Sequence, residues 1–311
     1  MLRTILVSLD GSELADRALP FAATLARAAE ARLVLVRALG LFELLGGQLT
    51  REQEKLRRRV EADVVGQLVE LHRDGVRAEA EVLDCGAVMA IRHATVRWDA
   101  DLIVGSTHGR GGLGRLLYGS VADELVRTSE KPVLLVTPSC GAGWPGDHVR
   151  RILVPLDGSA LAEMALSVAA ELAGALGAPL LLVRIVEPAY YTYYQESAET
   201  HERFLAEPRG YLEEIADRLR RGGLAVDVSV GAKLPPWTVA GVAREHEADL
   251  VVMATHGCSG LSRLALGSTA AATIGQTTVP VVLVRPADRE TDTEPRELGS
   301  ILSHLPLPLP E

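Results

Sequence analysis

The sequence predicts an α/β protein built as two tandem copies of one open, five-stranded parallel-sheet sandwich. Three observations carry this. Residues 3–39 laid on 150–186 without gaps give 22 identities in 37 positions. Residues 107–138 laid on 255–286 give 15 in 32. Within each copy, short apolar runs alternate with amphipathic helical patterns, which implies parallel strands joined by right-handed crossovers. The offset between copies is 147 at the front and 148 at the back. A unit this long is a whole domain, since solenoid repeats run to roughly 20–50 residues. The expected division is domain 1 over 1–138, a linker at 139–149, domain 2 over 150–286 and a tail at 287–311.

The elements follow in order. Residues 4–9 form an apolar run suited to a strand buried on both faces. Asp10-Gly11-Ser12 breaks it, and Ser12 caps a helix with Leu14, Ala18, Ala22, Leu25 and Ala29 at helical spacing. Residues 33–38 are the second strand. A long charged helix over 50–73 carries Leu56, Val60, Val64, Leu68 and Leu71 as its apolar stripe. Strand 76–83, helix 87–97, strand 101–105, a glycine-rich segment, helix 120–129 and strand 132–136 complete the copy. The second copy places strands at 152–156, 180–186, 224–230, 249–253 and 281–284. In a sheet of order 3-2-1-4-5, strands 1 and 4 flank the point where the order reverses, and ligands sit at their carboxyl ends. Asp10 and Gly109 then share one crevice, and Asp157 and Gly257 the other.

Composition sets limits on function. Apolar residues make up 48% of the chain but aromatic ones only 4%, so the cores rest on Val, Leu, Ile and Ala. A formal charge of −9 argues against a nucleic-acid partner, which calls for a basic surface. The opening apolar run is only a strand's length, so no signal peptide is expected, and no run reaches the ~20 residues of a membrane span. Cys85, Cys140 and Cys258 lack paired or metal-type spacing, which reads as free thiols in a reducing cytoplasm. The Leu-Pro repeats of the tail cannot form regular helix or central strand, and a mobile or surface-draped tail is expected.

The glycine segments carry the chemistry. Thr107-His108-Gly109 leads through Gly112-Leu113 and Arg115-Leu116 to Gly119-Ser120. Thr255-His256-Gly257 leads through Gly260-Leu261 and Arg263-Leu264 to Gly267-Ser268. Glycine lets backbone N–H groups approach phosphate oxygens, and Gly-Ser at a helix start adds unpaired donors and the positive dipole end. Arg115 and Arg263, four residues before that glycine, supply charge. His108 and His256 lie in the loop and either contact phosphate or steady the loop by a hydrogen bond. No Gly-Lys-Ser/Thr occurs, so this is not a Walker loop. No catalytic residue and no metal cluster is read from the spacing.

The pattern Gly, nine residues, Gly-Ser resembles the signature of the universal stress protein family. So do the strand ends Val154-Pro155-Leu156-Asp157-Gly158-Ser159 and Lys131-Pro132-Val133-Leu134-Leu135-Val136. The likeness covers 1–286 as two modules. It implies ATP as ligand, with Mg²⁺ or Mn²⁺ accompanying the triphosphate. Asp10 and Asp157 would face the adenosine beside Ser8 and Pro155, with Ala38 and Ile185 near the adenine. Gly109, Gly119, Ser120 and Val121 would cradle the triphosphate in copy one, and Gly257, Gly267, Ser268 and Thr269 in copy two. The first glycine of the family signature is Ser106 in one copy and Ala254 in the other, which leaves open which copy binds.

The family's fifth strands usually pair across a dimer axis. The resemblance therefore implies an intramolecular pseudo-dimer through residues 133–136 and 281–284, with a homodimer through other faces also open. A regulatory or stress-protective ATP-binding protein with little or no turnover is the leading expectation. A slow ATPase, with Asp10 or His108 orienting water, and a nucleotide-free scaffold for regulatory protein partners are the alternatives. Tyr190, Tyr191, Tyr193 and Tyr194, after the second strand of copy two, read as a lid, an interface or local packing. The run Arg57–Arg59 reads as a solvated helix face.

Overall fold

The computed structural model describes residues 1–40, 51–107, 119–186, 198–231, 238–256 and 266–285. The apolar runs form the strands expected of them. In the N-terminal half these are β1 (Thr4–Leu9), β2 (Arg32–Ala38), β3 (Ala78–Leu83), β4 (Leu102–Ser106) and β5 (Val133–Val136). They pair in parallel in the order β3-β2-β1-β4-β5. The C-terminal half has β6 (Ile152–Pro155), β7 (Leu180–Ile185), β8 (Val226–Gly231), β9 (Leu250–Ala254) and β10 (Val281–Val284). Their order, β8-β7-β6-β9-β10, is the same. The chain divides into two compact units, Leu2–His148 and Val149–Glu311.

Strands buried on both faces need apolar side chains at successive positions rather than at alternate ones. Ile5, Leu6 and Val7 of β1 are fully buried, as are Ile152, Leu153 and Val154 of β6. β6 is nevertheless shorter. Pro155 replaces Ser8 and has no N–H to give the ladder, and the β6–β9 pairing holds two residue pairs where β1–β4 holds three.

The first helix departs from the single element expected. It forms α1 (Glu13–Asp16) and α2 (Ala18–Ala28), parted at Arg17, whose backbone stays right-handed at φ −62°. The break recurs at Met164 between α6 (Ala160–Glu163) and α7 (Ala165–Leu176), so it belongs to the fold. Ala18, Ala22 and Leu25 are buried as their spacing predicts, while Leu14 and Ala29 are half-buried. α3 (Arg51–Arg73) buries Val60, Val64 and Leu71 of its stripe and leaves Leu56 45% exposed near the helix start. Arg57 is not merely solvated, since it reaches Glu61 at 2.9 Å and Asp84 at 3.2 Å.

α4 (Ala87–Arg97) and α5 (Ser120–Thr128) follow in the first unit. α8 (Ala198–Arg221), α9 (Val239–Glu245) and α10 (Ser268–Gln276) are their counterparts to α3, α4 and α5 in the second.

Residues 139–149, read as a linker, are laid against α2. Trp144 is buried edge-on to Phe21, with ring centroids 4.9 Å apart and planes at 89°. Asp147, in a short 3₁₀ turn over Pro145–Asp147, accepts from Thr24 Oγ1 at 3.0 Å and pairs with Arg27. Cys140 is buried and its thiol lies 3.4 Å from Thr137 Oγ1.

A left-handed residue ends α2, and here the copies differ. Glu30 stands at φ 51°, where the second copy has Gly177 at φ 62°. A side chain in this region costs about 1 kcal/mol relative to glycine. Glu30→Gly is therefore expected to stabilise the N-terminal unit by about 1 kcal/mol, read as a rise of roughly 3 °C in its thermal midpoint.

Candidate functional site

The carboxyl ends of β1, β2 and β4 come to one sheet edge because β1 lies between the other two. This places Asp10, just past β1, beside Ala38 at the end of β2 and Ser106 at the end of β4. The second copy brings Asp157, Ile185 and Ala254 to the matching edge. Ser8 lies one position before the end of β1. Its Oγ would be 3.6 Å from a Cβ added at Gly105.

Asp-Gly-Ser is a self-capping turn in both copies. Asp10 Oδ1 accepts from Ser12 N at 2.8 Å and from Ser12 Oγ at 2.6 Å, and Ser12 Oγ accepts from Ala15 N at 3.1 Å. The distances at Asp157, Ser159 and Ala162 are 2.9, 2.6 and 3.1 Å. One oxygen of each aspartate is thus committed to opening α1 or α6.

Sequence reasoning missed what lies against this turn. Gly11 stands at φ 75°, and a Cβ there would collide with the guanidinium of Arg37, which is buried at 7% exposure near the end of β2. Gly158, at φ 88°, faces Arg184 in the same way, but a Cβ there would only touch it, at 3.4 Å. Arg184 is held by other groups. Its guanidinium lies 5.3 Å over the Tyr211 ring and 3.4 Å from Glu207. Tyr211 donates to Glu163 Oε1 at 2.9 Å, and burial, then that carboxylate, push its phenol well above the ordinary range. In copy one, Gln67 ties α3 to Asp16 of α1 at 3.1 Å in the same place. A lone arginine after four apolar strand residues, present in both copies, was the available signal.

The helices behind the glycine segments begin at cap residues that have no side chain to offer. α1, α6 and α9 each have a side-chain cap, from Ser12, Ser159 and Thr238. α5 and α10 begin at Gly119 and Gly267 with no side-chain cap, so Ser120, Val121, Ser268 and Thr269 open helices whose first-turn N–H groups no cap side chain serves. Ser120 and Ser268 are exposed. α4 also begins at a glycine, Gly86. His256 Nδ1 lies 3.0 Å from Thr255 Oγ1, which supports the loop-steadying reading for that ring. His108, Gly109, Arg115, Gly257 and Arg263, the four tyrosines at 190–194 and the tail lie outside the described residues.

A groove of about 950 Å³ runs between α4 and α5, lined by Gly86, Met89, His93, Val96, Val121 and Glu124 among others. Among the described residues it meets the predicted cradle only at Val121, and Asp10 does not line it. Among the described residues no three His, Cys, Asp or Glu side chains are grouped to hold a metal ion, and no helix is long and apolar enough to cross a membrane.

A doubly wound parallel sheet, with a capped acidic turn after strand 1 and an uncapped glycine-headed helix after strand 4, defines the class. The profile described as the universal stress protein family matches residues 1–137 and 148–285. The chain belongs to that family, as a tandem member. It is similar to a universal stress protein of Mycolicibacterium smegmatis, 27% identical over 302 residues, covering 91% of this chain and 97% of that one. It is also similar to one of Mycobacterium tuberculosis, 30% identical over 193 residues. That match covers 60% of this chain, and the chain spans only 62% of that relative's length. A solved universal stress protein from Archaeoglobus fulgidus shares the fold, with a TM-score of 0.68 at 19% identity, covering 91% of this chain and 98% of that one.

Proposed function

We propose that this protein binds ATP and acts as a regulatory or stress-protective module in the cytoplasm with little or no turnover. What supports this is an acidic turn after strand 1 together with, after strand 4 of the same sheet, a helix whose cap residue is a glycine with no side-chain hydrogen bond. A triphosphate is the ligand such a helix start suits, because oriented N–H donors and the helix dipole meet its charge. Gly119, Ser120 and Val121 would hold the phosphates in copy one, with His108, Gly109 and Arg115 of the preceding loop. Gly267, Ser268 and Thr269 are the matching set, with His256, Gly257 and Arg263. Asp10 or Asp157 would take the ribose hydroxyls. A divalent ion would arrive with the triphosphate, whose charge it neutralises.

Low turnover follows from the same residues. The Oδ1 atom of Asp10 accepts two hydrogen bonds from Ser12, which lowers the basicity of that carboxylate toward water. Labelled ATP with Mg²⁺ is expected to bind purified protein at equilibrium, with phosphate release no faster than buffer. Absence of binding at millimolar ATP would overturn the reading and favour the scaffold alternative.

A further inference from the structure

The second unit holds a pocket that the nucleotide reading does not use. Its volume is about 390 Å³. It opens at the amino ends of the strands, where Arg151 precedes β6 and Leu181 and Asp227 stand second in β7 and β8. Asp157 lies beyond the opposite, carboxyl end of β6. Guanidinium groups from Arg151, Arg209 and Arg220 line the pocket, with Ser229 and His246 beside them.

Two of these arginines remain open to a ligand. Arg220 is committed, because Glu213 and Asp217 each lie 2.9 Å from its Nη1 and its Nε and Nη2 donate to Val226 O. Arg209, exposed on α8, makes no hydrogen bond or ion pair among the described residues. Arg151 Nη1 donates to His246 O at 3.0 Å, and Nη2 lies 3.6 Å from Asp227, whose side chain is 64% exposed. The Nε of Arg151 is buried with no hydrogen-bond partner among the described residues. Leaving a buried donor of a charged group unpaired is costly, and an incoming acceptor relieves that cost.

The first unit shows the same place filled. Strand register sets Glu81 where the second unit has Ser229, and Thr4 where it has Arg151. α4 ends at Trp98 where α9 ends at His246. Glu81 accepts from Trp98 Nε1 at 2.7 Å and from Arg97 Nη1 at 3.2 Å. The second unit replaces this acid and indole with a hydroxyl and an imidazole 3.5 Å apart, and adds a guanidinium. Room opens and negative charge gives way to positive at one position.

We propose that this pocket binds a small phosphate monoester, one per chain. The proposal does not rest on ATP binding. A phosphate carries close to two negative charges and accepts from several donors at once, which suits Arg151, Arg209 and the Ser229 hydroxyl. The volume lies within the range of small-molecule sites, roughly 300–1,000 Å³. Leu181 and Val228 give the ester's carbon chain an apolar wall. Of the two carboxylates that line the pocket, Glu213 is tied to Arg220 and Asp227 is largely in water.

Calorimetric titration of the full chain with glycerol phosphate tests this. One saturable equivalent is expected, bound more tightly than inorganic phosphate or malonate. Arg209→Ala, on an exposed helix face, is expected to weaken it about tenfold, the worth of one hydrogen bond to a charged group. Ser229→Glu, which restores the acid of the first unit, is expected to abolish it. Circular dichroism checks that both variants keep the fold. In amide exchange, the ester is expected to slow residues 226–229 and leave 157–159 unchanged.

No saturable binding by the unaltered chain would overturn the proposal. So would inorganic phosphate or malonate binding as tightly as the ester, or full affinity kept in both variants. Protection at 157–159 in place of 226–229 would put the ester in the Asp157 crevice and overturn it as well.

Discussion

Gly11→Ala is expected to destabilise the N-terminal unit by about 3 kcal/mol, several times the cost of an ordinary surface change. Two terms add. An alanine at φ 75° bears the strain of the left-handed region, roughly 1–2 kcal/mol. Its methyl also meets the guanidinium of Arg37, the far end of a side chain that is 7% exposed and must shift to admit it. The matching Gly158→Ala carries the first term but hardly the second, since Arg184 leaves 3.4 Å for the new methyl. Tryptophan-monitored urea unfolding compares them. Equal losses would show that Arg37 contributes nothing. Combining Gly11→Ala with Arg37→Met separates the terms, because the methionine yields more readily than the guanidinium. ATP affinity is expected to fall with stability in Gly11→Ala, since the turn that moves also presents Asp10.

Phe21→Ala is expected to cost about 4 kcal/mol, within the range for emptying a buried phenylalanine site. Phe21 is 1% exposed and is the aromatic surface on which Trp144 rests edge-on. Its loss removes core volume and also loosens the segment that holds Trp144. Cys140 reports the loosening directly. Burial raises its thiol above the ordinary value, so at neutral pH it is a poor nucleophile in the intact unit. In Phe21→Ala, its labelling by a thiol reagent, followed by peptide mass spectrometry, is expected to accelerate at least tenfold. Labelling no faster than in the parent would mean that the segment is held by Thr24, Arg27 and Asp147 alone. The raised thiol also favours the protonated form in the fold. That contribution is present below the ordinary thiol value, 9.0, and is lost as pH rises through the raised one.

The sequence was most legible where a single element decides its own structure. β1, β10 and α4 fall on the residues expected, because each is a short apolar or amphipathic run bounded by a turn or cap. Other ends moved by a residue or two, as with β3, which pairs only from Ala78 although Val76 is already buried. The repeat made the sheet order legible as well, since one βαβ reading had to serve twice.

What stayed hidden depends on contacts between distant residues. Gly11 and Arg37 meet only once β1 and β2 pair, and nothing near either residue records the other. Phe21 and Trp144 are more than a hundred residues apart, so the Gly- and Pro-containing stretch around Trp144 reads as a linker. The asymmetry between Gly119 and Gly267 is harder still, because both are followed by serine. Their difference lies in backbone angles, φ 76° at Gly119 against φ −58° at Gly267.

The strap over α2 bears on how the chain can be taken apart. A recombinant piece stopping at Pro138, where the repeat itself stops, would leave Phe21 without Trp144 and Thr24 without Asp147. A piece carried ten residues further, to His148, takes its own cover with it and is the version to express.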